Sequence, residues 1–193
     1  MVQPFSPPLI IQPALTLEAF LAMPETKPAS EFTDGKISQK PMPQGKHSAV
    51  ESELVPTVNG KLRSEKIAQA FSEFRCTFGG RSIVPDVSVW IWNRIATDNS
   101  GDIANVFSGA PDWTIEILSP DQRHTKVVKN IVHCLKHGAA LGWLIDPDDR
   151  TVFIYHPNGT LEIFDEPDSQ LPVPEFARSI ELTIGDVLGW LSK

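Results

Sequence analysis

The chain has 193 residues, 41% hydrophobic and 21% charged, with a net charge of −7 and a pI near 5.2, which suits one globular domain with a full core. The acidic balance argues against a broad basic surface gripping nucleic acid by phosphate neutralisation alone, but not against a carboxylate site that a cation neutralises. No run approaches the roughly 20 apolar residues of a membrane helix, the first residues lack the basic start of a secretory leader, and Cys76 and Cys134 are too few and too far apart for a zinc site or disulfide framework, so a reducing cytoplasm is expected.

Residues 1–14 are Pro-rich and read as an extended arm suited to dimer contact, leaving 15–193 as a single domain. Leu15, Leu17, Phe20 and Leu21 near helical spacing, with Thr16 as N-cap, predict a short helix ended by Pro24. Residues 29–43 read as a hairpin over Asp34-Gly35. Residues 46–62 begin a helix with Val50 and Leu54 on one face, and 66–90 pass from a helix into strands turned by Gly79-Gly80. The polar stretch 93–112 is a surface loop. A strand (WTIEILS), a helix (RHTKVVKNIVHCLKHG) and a strand (LGWLIDP) follow, then a hairpin over Asn158-Gly159 and, at the end, a last strand and a short helix. The sum is a mixed α/β domain with a strand–helix–strand unit near its centre.

Two strands carry an acid among apolar residues. Along 83–91, read as one strand, Ile83, Pro85, Val87, Val89 and Ile91 share a face, and Val84, Asp86, Ser88 and Trp90 share the other. Along 113–118, Glu116 lies with Thr114 and Leu118. A buried ionised carboxylate needs a partner: an arginine such as Arg75, Arg81 or Arg94, backbone donors, or a cation. On the following helix Lys126, Lys129 and Asn130 fall at i,i+3 and i,i+4 spacing. Two acids and a lysine brought together suit a divalent cation and a water nucleophile; the ordinary alternative is a solvated lysine face.

The ordered set VPDVSVW, PDWTIEILSP, a Lys-bearing helix ending in KHG, LGWLIDP and TVFIYHP resembles the Uma-two family of restriction endonuclease-like bacterial proteins, from about residue 30 to the C-terminus. The resemblance implies the PD-(D/E)XK fold, a central mixed sheet flanked by helices, and a Mg²⁺- or Mn²⁺-dependent endonuclease acting on DNA. By position it implies Asp86 and Glu116 as metal-binding acids, with the Ile117 backbone carbonyl as a further ligand. Leu118 stands where the plain signature has lysine, and Asn130 where this family's helix supplies one. Lys126, one turn earlier on the same stripe, is the favoured replacement and Lys129 the neighbouring alternative.

His47 matches a position where the family often has histidine and is a candidate phosphate or water contact, or simply a helix-start residue. Glu51, one turn later, is a candidate additional metal ligand. Gln122 and Arg123, at the mouth of the lysine helix, are candidate phosphate contacts or an exposed cap. Asp112 and Asp146 read as turn residues, and Trp90, Trp92, Trp113 and Trp143 as core or interface aromatics. A homodimer with two sites facing opposite DNA strands fits this reading. The alternative is a nucleic-acid- or protein-binding module that keeps the nuclease fold without its catalysis.

Overall fold

Val50, Leu54, Val58 and Leu62 recur every fourth residue and are fully buried along one side of α2 (Gly45–Leu62). In the computed structural model, which describes residues 15–120 and 122–192, this stripe packs on the larger of two sheets. The Pro-rich arm, 1–14, lies outside the described residues. Pro56 sits inside α2; it removes one helical hydrogen bond, a cost that the buried stripe outweighs.

The large sheet has the order β11-β10-β9-β8-β6-β3. Its strands are β3 (Ala68–Ser72), β6 (Val87–Ile91), β8 (Trp113–Ile117), β9 (Leu141–Asp146), β10 (Thr151–Tyr155) and β11 (Leu161–Phe164). Only β8 and β9 run parallel, bridged by α3 (His124–Lys136); the other neighbours are antiparallel. Trp113, Ile115 and Ile117 face the core shared with α2 and with α4 (Ile184–Gly189). On the other face Val127 and Ile131 of α3 pack with Leu144. Trp90, Trp113 and Trp143 are fully buried, whereas Trp92 is exposed.

The small sheet has the order β2-β1-β5-β4-β7, from β1 (Ser30–Thr33), β2 (Lys36–Gln39), β4 (Cys76–Phe78), β5 (Arg81–Ile83) and β7 (Phe107–Ser108). Asp34 (φ 52°) and Gly35 (φ 76°) supply the positive-φ pair that a two-residue hairpin needs. Thr16 caps α1 (Leu17–Leu21), accepting from Ala19 N at 3.1 Å.

Three expectations change. The helix expected to open at residue 66 is absent: Ala68–Ser72 form strand β3, because β6 offers a five-residue ladder. Asn59 of α2 also satisfies the outer edge of β3, bonding Ala70 N at 2.8 Å and Ala70 O at 3.1 Å. Residues 83–91 are not one strand: β5 ends at Ile83, Pro85 cannot donate to a ladder, and the chain bends into the other sheet at Val87. The C-terminal region has a single bridge, Gln170–Thr183, in place of a last strand, before the capping box of Thr183 and Asp186 opens α4. No helix among the described residues is long and apolar enough to cross a membrane.

Candidate functional site

The bend places Asp86 one residue before β6. Val87 lies opposite Ile115 and Ser88 opposite Thr114; extending that register by one sets Asp86 across from Glu116. Opposed residues in an antiparallel pair have Cβ atoms about 4.5–5.5 Å apart, so the two carboxyls meet. They are 1% and 2% exposed, respectively, and like charges so placed need a counter-ion.

None of the three candidate arginines supplies it. Arg75 pairs with Glu25, Arg81 with Asp34 and Arg94 with Asp112. The counter-ion is Lys40, buried just past β2. Its ammonium donates to Asp86 Oδ1 and, at 2.8 Å, to the Val84 carbonyl. Asp86 Oδ2 accepts from Ile117 N at 2.7 Å. His47 Nε2, on the first turn of α2, lies 3.2 Å from Asp86 Oδ1, and its Nδ1 lies 3.7 Å from Glu51 Oε2.

Burial alone would raise the Asp86 pKa, but the Lys40 charge and the His47 hydrogen bond outweigh it and hold Asp86 well below the usual carboxylate range. Glu116 goes the other way. Burial first, then the Asp86 charge, push its pKa well above the ordinary value, with Lys40 opposing. Glu116 Oε1 is buried with no hydrogen-bond partner among the described residues. Burial would lower the Lys40 pKa, yet Asp86, Glu116 and Glu31 together raise it, so the ammonium stays charged. For His47, burial is likewise overcome by Asp86 and the pKa rises. Burial raises that of Glu51.

A second ion pair adjoins the first. Glu31 of β1, 2% exposed, receives Lys126 Nζ at 2.8 Å on Oε2. Its Oε1 accepts from Asn130 Nδ2 and from Val84 N, each at 3.1 Å. Val84 therefore joins the two clusters, its carbonyl bound by Lys40 and its N–H by Glu31.

The fold thus gathers Asp86, Glu116, His47 and Glu51, and brings Lys126 and Asn130 to Glu31 beside them. Ile117 meets the cluster through its N–H. Lys129 is exposed on α3, off the stripe that holds Lys126 and Asn130. Arg123 is exposed at the start of α3, and Gln122 accepts from Ser119 N at 3.4 Å within its own loop. Asp112 is more than a turn residue: 6% exposed, it pairs with Arg94 and accepts from Ile91 N at 2.8 Å. Asp146 does cap its turn, accepting from Asp148 N and Asp149 N.

Glu31 and Lys40 were missed by the sequence reading. The signal lay in the hairpin: Glu31 opposite Ser38 puts Ala29 opposite Lys40, so Glu31 and Lys40 share a face. Pairing that face with the acid strands required the sheet contact between β1 and β5, where Phe32 meets Ser82.

Among the described residues no three His, Cys, Asp or Glu side chains form a ready-made ion cage. Mg²⁺ asks less, since one or two carboxylates with waters and substrate phosphates suffice. Asp86 and the orphaned Glu116 Oε1 meet that requirement, so the residues fit a divalent cation. Beside them a cavity of about 410 Å³ is lined by Lys46 and His47 of α2 and by Leu118, Pro120, Pro147 and Asp148. His47 both lines it and bonds Asp86, while neither acid lines it.

A crystal structure from Anabaena variabilis ATCC 29413, described as "a putative nuclease belonging to DUF820", is similar to this chain. The two share 60% sequence identity and a TM-score of 0.91, over 92% of this chain and 99% of that one. No curated protein matches the chain. The Uma2 family model, described as "Putative restriction endonuclease", matches residues 17–185; with a mixed sheet that sets two acids face to face beside a lysine-bearing helix, the chain belongs to the Uma2 family.

Proposed function

We propose that the protein is a metal-dependent endonuclease hydrolysing DNA phosphodiester bonds. The observation that carries this is the buried Asp86–Glu116 pair with Glu116 Oε1 left unpartnered among the described residues. Asp86 and Glu116 would hold Mg²⁺ or Mn²⁺, which supplies charge stabilisation for phosphoryl displacement and lowers the pKa of a water.

The chain's own groups do the rest. Asp86 is held ionised by Lys40 and His47, ready as a ligand. Glu116 must lose its proton to join it, and His47, which bonds Asp86 and lines the cavity, is suited to pass a proton between the cluster and the cavity. Lys126 is held by Glu31, whose other oxygen accepts from Asn130, at the edge of the cluster; it is the positive group of α3 suited to a phosphate oxygen. The enzyme would act in the cytoplasm, where its two cysteines stay free thiols; its chain mass is 21.3 kDa. It would work as a homodimer placing two sites on opposite strands, which light scattering would show as twice that mass.

Plasmid nicking in Mn²⁺ tests the reading. The wild type should convert supercoiled plasmid, and Asp86→Ala and Glu116→Gln should each fall by about 10²-fold or more, the scale of a lost catalytic group. Equal cleavage by wild type and variants, or none by the wild type across metals and pH, rejects it. A second reading has its own support: both Asp86 oxygens are already satisfied by protein donors, as in a binding module that keeps the fold. A wild-type melting temperature indifferent to Mn²⁺ even with a cleavage-resistant oligodeoxynucleotide present favours that module.

A further inference from the structure

Lys40 has no counterpart among the groups expected of this site, and it occupies the oxygen that a cation needs. It comes from the small sheet, not from β8 or α3, and its side chain is 6% exposed against 1% for Asp86. It donates to Asp86 Oδ1 and Val84 O, and it feels Glu116 and Glu31 as well. No solvent screens these charges, so one ammonium neutralises much of a carboxylate cluster that would otherwise be untenable.

We propose that Lys40 is a built-in competitor for the divalent cation. At rest it satisfies Asp86; for Asp86 and Glu116 to bind a metal ion together, Lys40 must give up Asp86 Oδ1. A charged ammonium released in a buried site needs another anion. A phosphate entering from the cavity beside His47 provides one. Metal ion and phosphodiester therefore bind cooperatively, and the metal alone binds weakly. This rests on the reading of Asp86 and Glu116 as metal ligands. It adds regulation of that site: the cation is held only when substrate is present.

No covalent step is involved, and the test is a binding measurement on the full chain. Free Mn²⁺ is followed by electron paramagnetic resonance, with and without a short phosphorothioate oligodeoxynucleotide that resists cleavage. The oligonucleotide should tighten Mn²⁺ binding to the wild type by about 5–150-fold, the usual span of site–site coupling. Lys40→Met should bind Mn²⁺ about tenfold tighter than wild type without oligonucleotide, within that same span, and gain little when it is added. Lys40→Gln, which keeps a donor for Val84 O, should do the same if the methionine variant folds poorly.

Lys40 variants that bind Mn²⁺ no more tightly than wild type overturn the proposal. So does failure of both variants to fold, because Lys40 is then an obligatory counter-ion and not an exchangeable one. The underlying reading fails separately: it is lost if neither wild type nor Lys40 variants bind Mn²⁺, or if Glu116→Gln binds it undiminished.

Discussion

Asp86 and Glu116 face each other in the same dry environment, yet their acidities move in opposite directions. Lys40 and His47 reach Asp86, while nothing in the described structure reaches Glu116 Oε1. Asp86, with its pKa depressed, contributes stability that is present above the unfolded carboxylate value of about 3.9 and is lost as pH falls through the folded value. Glu116, with its pKa raised, makes the folded state bind more protons than the unfolded one. Stability therefore declines as pH rises from about 4.3 through the folded value. His47 adds to that decline, since a raised histidine pKa gives stability that is full below about 6.5 and lost as pH climbs through the folded value. Glu116→Gln is accordingly expected to flatten the fall in melting temperature between mildly acidic and alkaline pH, read by circular dichroism without metal; an unchanged slope argues that Glu116 is ionised throughout. Lys126→Met should lower nicking by about 10–100-fold, the scale for a group that orients a site's ligands, while Lys129→Met, on the solvent side of the same helix, should leave it near wild type.

Among the elements, α3 and the β1–β2 hairpin do the positioning. The hairpin's Asp-Gly turn fixes its register, and the register fixes Glu31 and Lys40 on one face. Helix α3 lies so close to the large sheet that a Cβ at Gly142 would sit 2.3 Å from Ile131 Cγ2. Gly142→Ala should cost about 1–3 kcal/mol by overpacking, measured by denaturant unfolding, and should weaken nicking beyond its effect on stability if α3 shifts and takes Lys126 with it. Leu54→Ala, on the far face under α2, should cost about 2–5 kcal/mol and leave the activity of the folded fraction intact. The contrast separates a displacement of α3, which moves Lys126, from a loss of core packing along the middle of α2, away from His47 on its first turn.

At the scale of the molecule, the site lies at the seam between two sheets. Pro85 and Asp86 are the crossing point: β5 below belongs to the small sheet, and β6 above to the large one. The small sheet contributes Glu31 and Lys40, the large sheet Glu116, α2 His47 and Glu51, and α3 Lys126 and Asn130. Loosening either sheet should therefore uncouple the charges before the whole chain unfolds. The net charge of −7 predicts a modest salt dependence of DNA binding, shallower than that of proteins making about 6–10 phosphate contacts; fluorescence anisotropy over a salt series measures it. A steep slope indicates a basic surface that this chain does not present by composition.

Strand alternation, the two turn signals and the four-residue stripe of α2 were legible in the chain because they are local: each depends on residues within one element. Asp86 and Glu116 stood out for the same reason, as single acids in apolar runs. Which cation meets them was not local. Arg75, Arg81 and Arg94 are near in sequence yet engaged elsewhere, and Lys40 is 46 residues from Asp86 yet bonded to it. Likewise the helix expected to open the 66–90 stretch gave way to a strand at Ala68–Ser72 because β6 pairs there, a demand set by the sheet and not by those residues. By itself the sequence determined the turns, the α2 and α3 helices, the acid pair and the family. The tertiary structure alone decided how the charges are paired, because electrostatics in a dry interior depends on distance through space, which chain separation does not encode.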